Sequence, residues 1–180
     1  MLAPRLWTMI ATIAAALLAA SPAHAQASED AVKAAFLPKF ARYIELPATA
    51  KPGEGQPFYL CLIGRDPFHA LIDKAAASEV IDGHPVAVRR FVNTDSAAVA
   101  GCNIAFVSGA SDATTLQMLA VLRRQPTLTI TDARWGKARG MVHFAVVEGR
   151  VRFRIDQASA SARGVTISSR LLALAVEVTQ

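Results

Sequence analysis

The run Gly140-Met141-Val142-His143-Phe144-Ala145-Val146-Val147-Glu148-Gly149-Arg150-Val151-Arg152-Phe153-Arg154-Ile155-Asp156 decides the architecture. Two alternating segments meet at Glu148-Gly149, where glycine accepts the positive φ of a tight turn, so the run reads as a β-hairpin. On its second arm Val151, Phe153 and Ile155 share one face and Arg150, Arg152 and Arg154 the other, giving a packed side and a basic, solvated side. Asp156 is placed to cap a short Ala-rich helix that Gly164 ends. Ser168-Ser169 then opens a final helix expected to run through Val178. That helix is apolar nearly all round, so it is expected either to be enclosed by the fold or to be half covered by a second copy of the chain.

Upstream, apolar runs over residues 58–64, 85–92, 102–108 and 126–131 read as strands, bounded by Pro, Gly, Asn and Asp. Helical patterns fall between them: from Asp66-Pro67 to Ala77, a short one over residues 94–100, and one from Ser111-Asp112 to about Arg124. The first helix is expected to start at Ser28, with Glu29 and Asp30 at its positive end and an apolar seam through Val32, Phe36, Phe40, Tyr43 and Ile44. Pro38 lies inside that pattern and should kink or break the helix, because it removes a backbone donor and crowds the preceding turn. Strands alternating with helices and followed by a hairpin imply one α/β domain: a largely parallel sheet flanked by helices on both faces, with the C-terminal antiparallel hairpin at its edge.

Residues 1–25 have the anatomy of a secretory signal peptide: Arg5 as the positive region, an apolar run from Leu6 to Ala20, and Ala23-His24-Ala25 as a small-x-small cleavage site. The apolar run is too short for a spanning anchor, and cleavage after Ala25 leaves a mature domain of 155 residues at 26–180. Arg5 is the one charged residue removed, so the net charge falls from +5 to +4. That excess, without a basic run longer than Arg89-Arg90 or Arg123-Arg124, is no nucleic-acid signature. Export places Cys61 and Cys102 in an oxidising compartment, where a bridge is expected if geometry allows; the alternative is two buried free thiols on neighbouring strands. Neither has a His or Cys partner at zinc-ligand spacing, so no metal site is expected.

The motifs of catalysis are missing: no Gly-x-Ser-x-Gly elbow, no phosphate-cradling glycine loop with Lys, no His-Glu-x-x-His. His69, His84 and His143 are the histidines left after cleavage, and each stands alone in sequence. Binding fits better. In open parallel sheets ligands collect beyond the carboxyl ends of the strands, which here carry Arg65, Asp66 and Phe68, then Ser108 and Ser111, then Asp132, Arg134 and Trp135. The basic arm with Arg152 and Arg154, joined by Arg163 and Arg170, is a second candidate surface, suited to an acidic partner or a cell-wall polymer.

The closing run, Arg152-Phe153-Arg154-Ile155-Asp156 and then Arg163-Gly164-Val165-Thr166-Ile167-Ser168-Ser169-Arg170-Leu171-Leu172-Ala173-Leu174-Ala175, resembles the signature of the YfiR-like family of periplasmic regulators. Three further blocks agree in order: Val32 to Leu37 with Phe40 to Pro47, Leu62 to Phe68, and Gly101 to Ser108. The resemblance implies a non-enzymatic protein without cofactor that binds the periplasmic sensor region of an inner-membrane diguanylate cyclase. It would repress cyclic-di-GMP synthesis until a redox or envelope signal relieves it. It also implies a homodimer. The competing reading is a periplasmic binder of a small molecule or peptidoglycan fragment with no cyclase client. The chain departs from the family's pattern at Pro38-Lys39, Asn103, Arg139 and Asp156, which leaves the client and signal open.

Overall fold

In the computed structural model residues 21–95 and 99–180 are described. Helix α1 (Ser21–Lys39) passes through a 3-10 turn (Phe40–Tyr43) into the short strand β1 (Ile44–Glu45). Then come β2 (Phe58–Gly64), α2 (Ala70–Ala77), β3 (Val80–Ile81), β4 (His84–Phe91), β5 (Ile104–Ser108), α3 (Asp112–Leu122) and β6 (Leu128–Asp132). A second 3-10 turn (Ala133–Trp135) leads to β7 (Val142–Val147), β8 (Arg150–Asp156), α4 (Gln157–Ser161), β9 (Thr166–Ile167), α5 (Ser169–Leu172) and β10 (Glu177–Thr179).

Eight strands form one sheet in the order β10-β8-β7-β6-β5-β2-β4-β3, while β1 pairs with β9 apart from it. The central five, β4-β2-β5-β6-β7, are parallel neighbours, as the alternation of strands and helices in the sequence implies. Strand β2 explains why its sequence is apolar throughout. Leu60 and Leu62 enter a cluster with Leu37 of α1 and Ile72 of α2, whereas Cys61 and Ile63 enter another with Met118, Leu119 and Leu122 of α3. Cys61 is disulfide-bonded to Cys102, and both are buried in that second cluster.

The hairpin has the expected register, Val147 opposite Arg150, with Glu148 (φ 51) and Gly149 (φ 72) making the turn. It is not the edge of the sheet, however, and the final helix does not reach Val178. The helix stops at Leu172, Val176 N–H donates to the Phe153 carbonyl, and β10 lies parallel to β8 with Val178 opposite Ile155. An open edge on β8 offers ladder hydrogen bonds that β-branched Val176, Val178 and Thr179 satisfy better as strand than as helix. Leu174 and Val176 are left exposed, so of the two expectations for this segment enclosure by the fold does not occur.

Two helix starts also differ. The backbone is already helical at Ser21, which puts Glu29 and Asp30 inside α1 rather than at its start. Buried side chains from α1 into the 3-10 turn include Lys33, Ala34, Leu37, Phe40 and Ala41; of the expected seam Phe40 is buried, Phe36, Tyr43 and Ile44 are half-buried, and Val32 is exposed. Pro38 acts at the helix end, where α1 stops at Lys39 and tightens into the 3-10 turn. Helix α2 begins at Ala70, not Asp66, because the Asp66 carboxylate accepts from Phe68 N–H and His69 N–H in a local turn and His69 adopts φ 45. Residues 96–98 of the expected helix over 94–100, and most of the expected signal peptide, residues 1–20, lie outside the described residues.

The disulfide joins positions 41 apart, and constraining an unfolded loop of that length is worth about 4 kcal/mol. Replacing both cysteines by alanine is expected to lower the unfolding free energy by roughly 2–4 kcal/mol in urea titrations of the mature chain. Equal midpoints for the two proteins would mean the bond constrains nothing.

Candidate functional site

The order β4-β2-β5 places the topological switch point between β2 and β5, where open parallel sheets form their ligand crevice. Here the crevice is closed. Gly64 (φ 89) runs so near β5 that a Cβ on it would lie 2.2 Å from the Ser108 carbonyl oxygen. Arg65 N–H donates to that same carbonyl at 2.8 Å, and the Arg65 guanidinium donates to the Ala110 carbonyl at 2.9 Å. The functional groups that sequence placed at the strand ends therefore gather one step along, at the end of β6.

There the buried ammonium of Lys33, fully inaccessible to solvent, is held between Glu29 one turn earlier on α1 and Asp132 at the end of β6, 2.6 Å from the latter. Asp132 also accepts from Arg134 N–H at 3.0 Å, capping the 3-10 turn that follows β6. Arg134 turns back to α1, its Nη2 lying 2.7 Å from Asp30 Oδ1; neither atom has a properly directed hydrogen bond, so the contact is an ion pair and no more. α1 and the β6 end are thus joined by alternating charges: Glu29 and Asp132 on Lys33, Asp30 on Arg134.

Trp135 completes the edge. The guanidinium groups of Arg134 and Arg65 both lie over its indole, 4.7 and 5.0 Å from ring centroids. The loop that carries it is fixed from α3, where the Asp112 carboxylate accepts from Lys137 N–H and Ala138 N–H at 2.7 and 3.0 Å. Any side chain on Gly136 would strike that carboxylate, at 2.1 Å. Five buried polar atoms on this edge have no hydrogen-bond partner among the described residues: Trp135 Nε1, Arg134 Nε and Nη2, Asp30 Oδ1 and, at the neighbouring strand end, Ser108 Oγ. Buried polar atoms left open this way are unusual; the Trp135 and Arg134 nitrogens among them are donors that a partner's acceptors would satisfy.

The sequence candidates divide. Arg65, Asp132 and Trp135 come together at this edge. Asp66 does not join them. Burial alone would raise its pKa, but Arg90 and the N–H groups of Phe68 and His69 bond its carboxylate and hold it below the usual value. Phe68 is no pocket wall; it is buried edge-to-face against Phe106. Arg152 and Arg170 are exposed, Arg154 bonds Glu177 of β10, and Arg163 bonds the Ser159 carbonyl, so the basic residues do not form one continuous strip. Lys33 was missed altogether, although the spacing Glu29–Lys33–Leu37 puts it in line with a buried residue and an acid one turn away.

The remaining titratable candidate, His143, lies on β7 beside this network, its Nδ1 2.8 Å from Thr131 Oγ1. Burial, reinforced by Arg139, Arg154 and Lys33 against the opposing pull of Asp132, drives its pKa down to about 4. It is a packed neutral imidazole at neutral pH.

The fold is a mixed α/β domain whose first helix is fastened to the sheet by charge pairs. The chain matches the YfiR/HmsC-like family over residues 30–176 and belongs to it. That family is known for periplasmic regulation of diguanylate cyclases. No curated protein matches the chain. No helix among the described residues is long and apolar enough to cross a membrane.

Two outcomes follow from the charges. Lys33→Met leaves the buried Asp132 with only the more distant Arg134 Nη2, at 3.9 Å, and is expected to cost about 3–5 kcal/mol in urea unfolding, whereas Lys33→Met with Asp132→Leu recovers most of that loss. A double variant no more stable than the single one would mean the pair is not what the loss reports. His143 has a depressed folded pKa, so the unfolded chain binds more protons between pH 6.5 and 4, and stability falls as pH drops through that window by up to about 3 kcal/mol. His143→Gln is expected to flatten that limb in pH-dependent unfolding, and an unchanged slope would contradict the assignment.

Proposed function

We propose that this chain is a periplasmic negative regulator that binds the periplasmic sensor region of an inner-membrane diguanylate cyclase and holds cyclic-di-GMP synthesis down. The observation that carries the reading is the family match over residues 30–176, which takes in Asp30, Lys33, the Trp135 edge and strands β1 to β9 together. Export by cleavage after Ala25 leaves Glu29, Asp30 and Lys33 in place, so the fastening of α1 survives maturation. The protein does no chemistry. It works through the difference between its affinities for two states of the cyclase, and a difference of about 1.4 kcal/mol changes the state ratio tenfold.

The contact surface in this reading is the outward side of α1, with Ala31, Val32 and Lys39 exposed, together with Arg65 and Trp135 at the adjoining edge. The inward side holds α1 rigid, so the outward side is presented without an ordering cost at binding. Relief by reduction of the Cys61–Cys102 bond, and action as a homodimer, belong to the same reading.

A second reading, a small-molecule binder with no cyclase client, is favoured by a cavity of about 250 Å³ walled by Ile44, Leu46, Phe58 and Ile81, with His84 and the Glu45–Lys51 pair at its rim.

Deleting the gene is expected to raise cyclic-di-GMP and matrix production, and the wild-type gene to reverse this. Val32→Asp and Lys39→Glu are expected to abolish the reversal while the purified variants unfold at the wild-type temperature. Unchanged cyclic-di-GMP after deletion would set the regulator reading aside in favour of the small-molecule one.

A further inference from the structure

Away from the α1 edge, two adjoining cavities open beside β7 and β8. One, of about 70 Å³, is walled by Arg123, Arg139 and Arg163 around Thr129, Asp156 and Ser159. The other, of about 100 Å³, shares Arg139, Gly140 and Asp156 with it and extends to Arg154. Guanidinium groups from three separate parts of the chain converge here: the end of α3, the crossing into β7, and the turn after α4.

The convergence is built in. Gly140 runs so close to β6 that a Cβ on it would lie 2.7 Å from the Thr129 carbonyl oxygen. Gly140 N–H donates to Thr131 Oγ1 at 2.8 Å and Met141 N–H to Thr129 Oγ1 at 3.1 Å. These bonds pin the backbone under Arg139 and fix where its side chain starts. On the opposite wall, Arg163 donates to the Ser159 carbonyl, which holds its stem along α4.

The positive charge is not cancelled by what surrounds it. Asp156 is the carboxylate in the first cavity, and both its oxygens are already engaged, Oδ1 by Ser159 N–H at 2.8 Å and Oδ2 by Ser159 Oγ at 2.7 Å. Glu177, in the second cavity, is bonded by Arg154 at 2.8 Å and reaches Arg139 only at 3.9 Å. Among the described residues Arg123 and Arg163 form no ion pair. Burial first, and the nearby Arg123 second, lower the pKa of Arg163 against the opposing pull of Asp156, which places the Arg123 charge within reach of Arg163.

From this we infer that the cavity between Arg123, Arg139 and Arg163 is a binding site for the oxyanion group, phosphate or carboxylate, of a small ligand. A guanidinium presents its donors in a planar fork that matches two oxygens of either group, so several forks around a small space select an oxyanion over a halide. The cavities are far smaller than a site that encloses a whole drug-sized molecule, so they receive the anionic end of a ligand whose remainder lies outside. The site stands whether or not the chain has a cyclase client.

The test is calorimetric titration of the purified mature chain with inorganic phosphate and, separately, with succinate, each against sodium chloride at matched ionic strength. Saturable heat is expected with at least one oxyanion and none with chloride; the arm that responds identifies the group. Arg123→Gln and Arg139→Gln are each expected to weaken binding about tenfold, the loss of one charged hydrogen-bonding partner. Arg152→Gln, on the exposed part of β8, is expected to bind as wild type. Arg123 is exposed, so its variant folds even if Arg163→Gln does not. No saturable heat with either oxyanion, or equal affinity in Arg123→Gln, Arg139→Gln and wild type, overturns the site.

Discussion

One buried ammonium fixes the geometry on which the rest depends. Lys33 has no access to water, so its charge is tolerable only because Glu29 and Asp132 sit against it. Apolar packing of Leu37 and Phe40 would hold α1 against the sheet at a range of positions, since hydrophobic contact has no direction. An ion pair 2.6 Å long with the end of β6 selects one of them. Asp30 and Arg134 repeat the selection, three residues before Lys33 on the helix and two residues after Asp132 on the chain. The energetic gain from such pairs is small against their desolvation, and positional definition is the more useful return.

Closure of the switch point and display of the α1 edge are two sides of one arrangement. Where comparable sheets leave a crevice for a nucleotide, Gly64 and Arg65 draw β2 and β5 together by main-chain and guanidinium bonds. The consequence is a sheet end with a surface instead of a hole. Arg65, no longer available to line a pocket, lies over Trp135 and joins the same edge as Arg134 and α1. A surface of that kind suits recognition of another macromolecule, in keeping with the family's regulatory role. The arginine-lined cavity beside β8 is walled by other residues, Arg123, Arg139 and Arg163.

Much of this architecture was legible in the residues. The hairpin followed from strict alternation around Glu148-Gly149, and the parallel core followed from apolar runs separated by capped helices. What sequence could not supply was strand order. Without it Arg65, Asp66 and Phe68 looked like neighbours in a pocket, whereas β2 sends Arg65 to Trp135, Asp66 to Arg90 and Phe68 into the core. The C-terminal segment failed for a different reason. Leu171 to Val178 satisfies a helical pattern, but the free edge of β8 outbids it with ladder hydrogen bonds, and an edge is a tertiary fact. Lys33 was hidden by the habit of assigning lysines to solvent; its acid one turn earlier was in plain view, but Asp132 lies 99 positions away.

The central claim is that α1, fastened from behind, offers its outward side to a membrane cyclase. Photoreactive cross-linking from position 32 in intact cells tests it most directly, with position 92, the most exposed large apolar side chain, as the comparison. The account expects an adduct between this chain and a membrane-anchored diguanylate cyclase from position 32 and none from position 92. Adducts to a cyclase from position 92 alone, or no cyclase adduct from either position, would contradict it.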